Sequence, residues 1–261
     1  MIATSDHIQV QKEAGVLTLT MNRPEKKNAL TQDMYAALAD NVVAAQTDPD
    51  TRVVLITGSG DSFTAGNDLG DFAGSDDVPK GENELPPVGR YLQAILNAEK
   101  PIVAAVNGLA IGVGVTMLLH CDLVYASPNA TFQTPFVNLG LVPEAGSSLL
   151  LPNLIGTQKA NDMFLLGTKV SAEDGEKMGL VCSIFDENAL LAEATVRAKA
   201  LAAKAPNAVK LTKQLVRKEH ANVAQQMADE SVHFSAQLKT AEFAEAAMAF
   251  AERRAPDFSK I

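Results

Sequence analysis

Three short stretches of the chain carry residue types suited to chemistry. In NLGLVPEAGSS (Asn138–Ser148) a single carboxylate, Glu144, stands in an otherwise apolar, glycine-punctuated turn. TAGND (Thr64–Asp68) and AIGVG (Ala110–Gly114) are glycine turns that each follow an apolar strand, and the second opens a helix. Glycine lets main-chain N–H groups face a ligand oxygen, and a helix N-terminus adds a favourable dipole. Two such donors converging on one oxygen would form an oxyanion hole, although glycine turns more often simply turn. Two readings of Glu144 stand side by side. Directly before AGSSLLLP it suits a helix N-terminus, where an acid complements the dipole. Among Val142, Leu141, Phe136 and Ala145 it would also be partly desolvated, which raises a carboxyl pKa toward that of a general base.

Other chemistries lack their residues. Gly112-x-Gly114 is followed by Met117 where the third glycine of a dinucleotide fingerprint belongs. No Gly-Lys-Ser/Thr marks a P-loop, no Gly-x-Ser-x-Gly marks a nucleophile elbow, and metal-ligand spacing is absent. His120, on an apolar helix, reads as a core histidine. Cys121 and Cys182 are too few and too far apart for a disulfide framework, which fits a reducing compartment.

The elements that must position these stretches follow from periodicity and caps. A hairpin, HIQVQKE and VLTLTMN, turns at Ala14-Gly15. Thr31 caps an amphipathic helix through about Ala45, and RVVLITG is a short apolar strand of the kind buried sheets require. A long Gly/Asp/Ser/Pro-rich loop leads to a helix at about Val88–Asn97. Then come strand PIVAAVN, loop GLAIGVG, helix VTMLLHC and strand DLVYAS. Beyond Leu149 the chain is mostly helical, with strand LVCSIF and final helices at about Glu187–Ala205, Ala208–Lys218, Val223–Leu238 and Ala241–Arg253. The last two carry apolar stripes (Met227, Phe234, Leu238; Phe243, Ala247, Phe250) that need covering.

Bulk properties exclude whole classes. With 261 residues and 47% hydrophobic content the chain has ample material for a full core. A net charge of −9 disfavours binding to a nucleic-acid backbone, which needs a clustered basic surface. IVAAVNGLAIGVGVTMLL (Ile102–Leu119) is long enough to span a membrane, but Asn107 and its glycines make it a buried strand, loop and helix. No signal peptide is visible at the N-terminus, and Ser259-Lys260-Ile261 only approximates a peroxisomal address, so a cytoplasmic location is expected.

Taken together, NRPEKKNAL (Asn22–Leu30), FTAGNDL (Phe63–Leu69), Lys100–Ser127, FQTPFVNLGLVPEAGSS (Phe132–Ser148) and PNAVKLTKQLVR (Pro206–Arg217) resemble the crotonase family, the enoyl-CoA hydratase/isomerase superfamily. The resemblance implies an α/β fold. Residues 1–190 would form a spiral of ββα repeats that binds acyl-CoA, and 191–261 a helical extension that builds a trimer or a dimer of trimers. It implies an acyl-CoA thioester as substrate, with coenzyme A carried on that substrate and no separate cofactor, metal, membrane or nucleic-acid partner. Carried over, the oxyanion-hole amides are those of Asn67 and Val113, beside Gly112. Ala65, Gly66, Asp68 and Leu69 would line the pantetheine path, with Arg23 and Lys26 or Lys27 near the phosphates. Phe72, Phe136 and Leu141 are candidates for the apolar wall.

Hydratases of the family use two glutamates to hold water, and by the resemblance those positions are Thr116 and Phe136 here. The peroxisomal-type Δ3,Δ2-enoyl-CoA isomerases instead keep one acid in a PEG-like turn, where VPEAGSS places Glu144. A single carboxylate reaching C2 and C4 can shuttle one proton through a thioester dienolate. Each hole donor would contribute ~3 kcal/mol to the barrier, and the base about 10²–10⁴-fold. The expected activity is therefore isomerisation of 3-enoyl-CoA to 2-enoyl-CoA. The alternatives are a ring-derived acyl-CoA isomerase of aromatic degradation, an enoyl-CoA hydratase, or a non-catalytic RNA binder.

Overall fold

Uninterrupted apolar runs such as Val53–Gly58 and Ile102–Val106 cannot present a wet face, so they pair in parallel inside the protein. The computed structural model describes residues 5–68, 70–71 and 85–261. In chain order its elements begin with β1 (Ile8–Glu13), β2 (Val16–Met21), α1 (Gln32–Thr47), β3 (Val53–Gly58) and β4 (Ser62–Thr64). Next come α2 (Pro87–Leu96), β5 (Ile102–Val106), β6 (Leu109–Ile111), α3 (Val113–Thr116), β7 (Leu123–Ala126) and β8 (Thr131–Gln133). The chain continues through α4 (Ser147–Ile155), α5 (Thr157–Leu166), β9 (Val170–Ser171), α6 (Ala172–Lys177) and β10 (Ser183–Ile184). It closes with α7 (Leu190–Ala202), α8 (Pro206–Val216), α9 (His220–Gln237) and α10 (Ala241–Ala251).

The strands divide between two sheets, of order β1-β2-β3-β5-β7-β10 and β4-β6-β8-β9. Successive pairs β3/β4, β5/β6 and β7/β8 each place one strand in either sheet, and neighbouring turns stack in parallel. That is the expected ββα spiral. The main core fills the space around it with residues such as Leu19, Met34, Leu38, Ile56 and Phe132. On the far side of the larger sheet α7 buries Leu190, Ala194 and Ala198 against Val53, Leu55 and Val103.

Local signals hold where anticipated. Thr31 accepts a hydrogen bond from the Met34 N–H and starts α1, and Ala14 and Gly15 take positive φ in the hairpin turn. One segment differs. Leu109–Ile111, expected in a loop, is strand β6, because β4 and β8 flank it and supply its main-chain partners. Among the described residues no helix is long and apolar enough to cross a membrane.

Candidate active site

The pairing of β4 with β6 sets Thr64 opposite Ala110, so the turns that leave the two strands lie side by side. Their contact is close. A Cβ on Gly66 would come 2.9 Å from the Ile111 carbonyl oxygen, and one on Gly114 would come 2.7 Å from the Thr64 methyl. Gly66 also takes φ +88°, which side chains other than glycine's rarely adopt. On one side of Asn67, the Leu30 N–H donates to Gly66 O (2.8 Å) and the Asp68 N–H donates to Leu30 O (2.9 Å). This parallel bridge directs the N–H of Asn67 itself away from Leu30. In the second turn Gly112, at φ +56°, makes Val113 the first residue of α3, and an N–H there has no intrahelical acceptor. Among the described residues neither the Asn67 nor the Val113 amide donates to a protein group.

Glu144 stands half-buried in the turn before α4, its carboxylate accepting a hydrogen bond from the Thr116 hydroxyl at the end of α3. Burial pushes its pKa up to about 7; the Thr116 bond opposes that rise and the charge of Glu230 adds to it. The next two residues have positive φ, +61° at Ala145 and +71° at Gly146. They are pinned from opposite sides. His120 Nε2–H donates to the Ala145 carbonyl at 2.7 Å, and the Gly146 N–H donates to Glu230 Oε2 at 2.6 Å. Burial drives the His120 pKa down to about 4, so the imidazole is neutral. The core-histidine reading of this residue is the observed one.

A cleft of about 580 Å³ lies between α2 and α9, with Asn67 and Glu144 both in its wall. Val88, Leu92, Met227, Phe234 and Leu238 supply its apolar lining. Asn67 and Glu144 thus share one cleft, and the two glycine turns lie side by side at the ends of β4 and β6. The enoyl-CoA hydratase/isomerase family matches residues 11–260. The chain belongs to that family. It is 41% identical over 216 residues to enoyl-CoA delta isomerase 2 of Rattus norvegicus, a match covering 82% of this chain and 55% of that protein. The chain thus spans about half of that relative's length. It is 35% identical over 250 residues to 2,3-dehydroadipyl-CoA hydratase of Escherichia coli, covering 95% of this chain and 97% of that one. The crystal structure of an enoyl-CoA hydratase/isomerase from Pseudoalteromonas atlantica T6c superimposes with a TM-score of 0.91 at 49% identity, over 97% of this chain and 100% of that one.

Within this crotonase-type framework, the residues singled out from sequence fall into two groups. Asn67 and Glu144 meet at the cleft, while Ala65, Gly66, Gly112 and Val113 build the adjoining turns. Phe136 and Leu141 are elsewhere: both are buried in the main core, Phe136 6.4 Å from the Phe164 ring, and neither lines the cleft. Their place in the apolar wall is taken by α2 and α9, so the stripe Met227, Phe234 and Leu238 finds its cover here. Arg23 is committed to the protein, donating to Asp68 Oδ2 at 2.6 Å and to the Ala29 carbonyl at 3.1 Å, and so clips the Asn67 turn. Lys26 is exposed on the surface, and Lys27 pairs with Asp61 at 2.5 Å. Leu69 and Phe72 lie outside the described residues.

Two functional neighbours escaped sequence reasoning. Tyr35, fully buried on α1, donates its phenol to Asn67 Oδ1. It carries no signal beyond membership of an apolar helical face. Glu230 looks like one more acid on an amphipathic helix, and only the docking of α9 on α4 buries it.

Proposed function

We propose that the protein moves a carbon–carbon double bond of an acyl-CoA thioester from C3 to C2. Glu144 removes a proton from C2 and returns it at C4, while the Asn67 and Val113 amides stabilise the negative charge that develops on the thioester oxygen. The observation that supports this best is Glu144 in the cleft wall it shares with Asn67, with a pKa of about 7. A carboxyl titrating there is half ionised near neutral pH, basic enough to take the C2 proton and acidic enough to release it. Main-chain donors set before the reaction need no reorganisation as the dienolate forms. The delta-isomerase name of the rat relative points the same way.

Incubation of wild type and Glu144→Gln with 3-hexenoyl-CoA in D₂O, followed by NMR, tests the assignment. Turnover and deuterium entry at C2 are expected to fall by about 10²–10⁴-fold in the variant. Retention of most of both by Glu144→Gln would overturn it.

The Escherichia coli relative, named as a hydratase and matched over nearly its whole length, favours a second reading. Water addition to crotonyl-CoA at a rate indifferent to Glu144→Ala would establish it. Against it stand Thr116 and Phe136, which occupy the two positions where the family's hydratases hold water with glutamates. The isomerase reading includes assembly as a homotrimer or hexamer in the cytoplasm. Exposed Leu165, Leu166 and Phe250 support the assembly, and sedimentation measures its mass.

A further inference from the structure

The turn that carries Glu144 is built by parts of the chain far from it in sequence. From α9, Glu230 reaches across to accept three hydrogen bonds: from the Gly146 N–H at 2.6 Å, the Ser148 N–H at 2.9 Å and the Ser148 hydroxyl at 2.5 Å. The carboxylate thereby occupies the N-terminus of α4 and satisfies amides that the helix cannot. Gln226, one turn earlier on α9, donates to the same Ser148 hydroxyl at 2.8 Å. Val223 and Met227 press on the turn so closely that a Cβ on Gly146 would come 2.9 Å and 3.2 Å from them. Glu230 is 5% exposed, and among the described residues no cation pairs with it, so its charge is left to act on its surroundings.

We propose that Glu230 is a positioning residue for Glu144: from the C-terminal helix it anchors Gly146 and Ser148, while His120 holds the Ala145 carbonyl from the other side, and together they fix where the proton-carrying carboxyl stands. This rests on the role proposed above for Glu144. Glu230 does not line the cleft and touches no substrate; it acts through the main chain and through its charge. Among the described residues, the groups facing Glu144 are the Thr116 hydroxyl from α3, the Tyr35 phenol from α1 and the Glu230 carboxylate from α9. Burial raises the Glu230 pKa and the bonds from Ser148 and Gly146 oppose that rise; when ionised, its like charge helps hold the Glu144 proton on. The helical extension thus fixes the turn that carries Glu144, and Glu230 adds to a rise in proton affinity that burial produces.

The two contributions separate experimentally. Protein labelled with ¹³C at glutamate carboxyls gives a Glu144 signal, identified by its loss in Glu144→Gln, whose titration midpoint is read alongside the pH profiles of kcat and KM on 3-hexenoyl-CoA. In Glu230→Gln, near-isosteric but uncharged, the midpoint is expected to fall by about half to one pH unit. Its kcat is expected to fall about tenfold with KM within about twofold of wild type. Glu230→Asp keeps the charge but cannot span both anchors, so kcat drops while the midpoint stays above that of Glu230→Gln. A folded Glu230→Gln with the wild-type midpoint and kcat profile overturns the inference, as does Glu230→Asp with wild-type kcat should Glu230→Gln not fold. Full turnover by Glu144→Gln would instead remove the proposed reaction, and the shift of the carboxyl midpoint would still judge Glu230 separately.

Discussion

Thr116 and Glu144 are joined by a hydrogen bond in which the hydroxyl donates and the carboxylate accepts. By resemblance, Thr116 stands where the family's hydratases carry the first of their water-holding glutamates. In this chain that position holds a hydroxyl that bonds the Glu144 carboxylate, 28 residues further on, in place of contributing a second acid. One oxygen of Glu144 is thereby engaged, and among the described residues no group bonds the other. In the proposed reaction a single carboxylate so held would serve C2 and C4 in turn without a second proton carrier.

Removing that donor changes the proton affinity of the proposed base in a defined direction. The Thr116 bond favours the ionised carboxyl and keeps the Glu144 pKa from rising above about 7. Thr116→Val preserves shape and deletes the hydroxyl. The acid limb of the kcat profile is expected to move to higher pH, and kcat at pH 7 to fall about three- to tenfold. KM should change little, and Thr116→Ser should restore the wild-type profile. Steady-state rates across the pH range decide it.

Tyr35→Phe tests the support beneath the turn that carries the proposed Asn67 donor. The phenol is buried and donates to Asn67 Oδ1, so its loss leaves a carboxamide oxygen without that donor. Stability measured by urea unfolding is expected to drop by about 1–2 kcal/mol. If the bond also fixes the Asn67 amide, kcat/KM falls with it, whereas the Glu144 limb of the pH profile stays within a few tenths of a unit of wild type.

How much of this was legible from the chain depends on range. The hairpin, the Thr31 cap and the apolar strands β3 and β5 are set by neighbours in sequence, and they stand where the pattern puts them. The three-residue strand β6 reads as a glycine-bounded loop because its partners, β4 and β8, lie far away in the chain. Phe136 and Leu141 both shortly precede Glu144 in sequence, yet the backbone between the two folds through a short 3-10 turn and both lie in the core. The side chains that hold the site, Tyr35 on Asn67 and Glu230 on Gly146, join residues 32 and 84 positions apart. No window of local sequence contains such pairs. Arg23 shows the converse: a cation expected near the phosphates is paired with Asp68, in the turn expected to line the pantetheine path.

Gly66→Ala probes the contact between the two turns. Its Cβ would meet the Ile111 carbonyl oxygen at 2.9 Å, and φ at that position is +88°. Main chain cannot yield as a flexible side chain can, so the Asn67 turn must separate from the Val113 turn. A stability loss of about 1–3 kcal/mol is expected. Displacing a donor of the proposed oxyanion hole is expected to lower kcat by about 10²-fold. Rates on 3-hexenoyl-CoA and urea unfolding, made on the same preparation, give both numbers.

Glu144 also links function to stability through pH. Its pKa rises from an ordinary 4.5 to about 7 on folding, so the folded state holds a proton that the unfolded chain releases between those values. The sign follows from proton counts: where the native state binds more protons, stability falls as pH rises. Wild type should therefore lose stability from pH 4.5 to pH 7 on account of this group and level off above. Glu144→Gln has no such proton to lose. It should be more stable than wild type at pH 8, by at most about 3 kcal/mol, and the advantage should shrink toward pH 5. Urea unfolding of both proteins at several pH values measures the difference. A gap that does not vary with pH would mean the carboxyl ionises as it does in water, and a base poised near neutrality would then be lost to the mechanism.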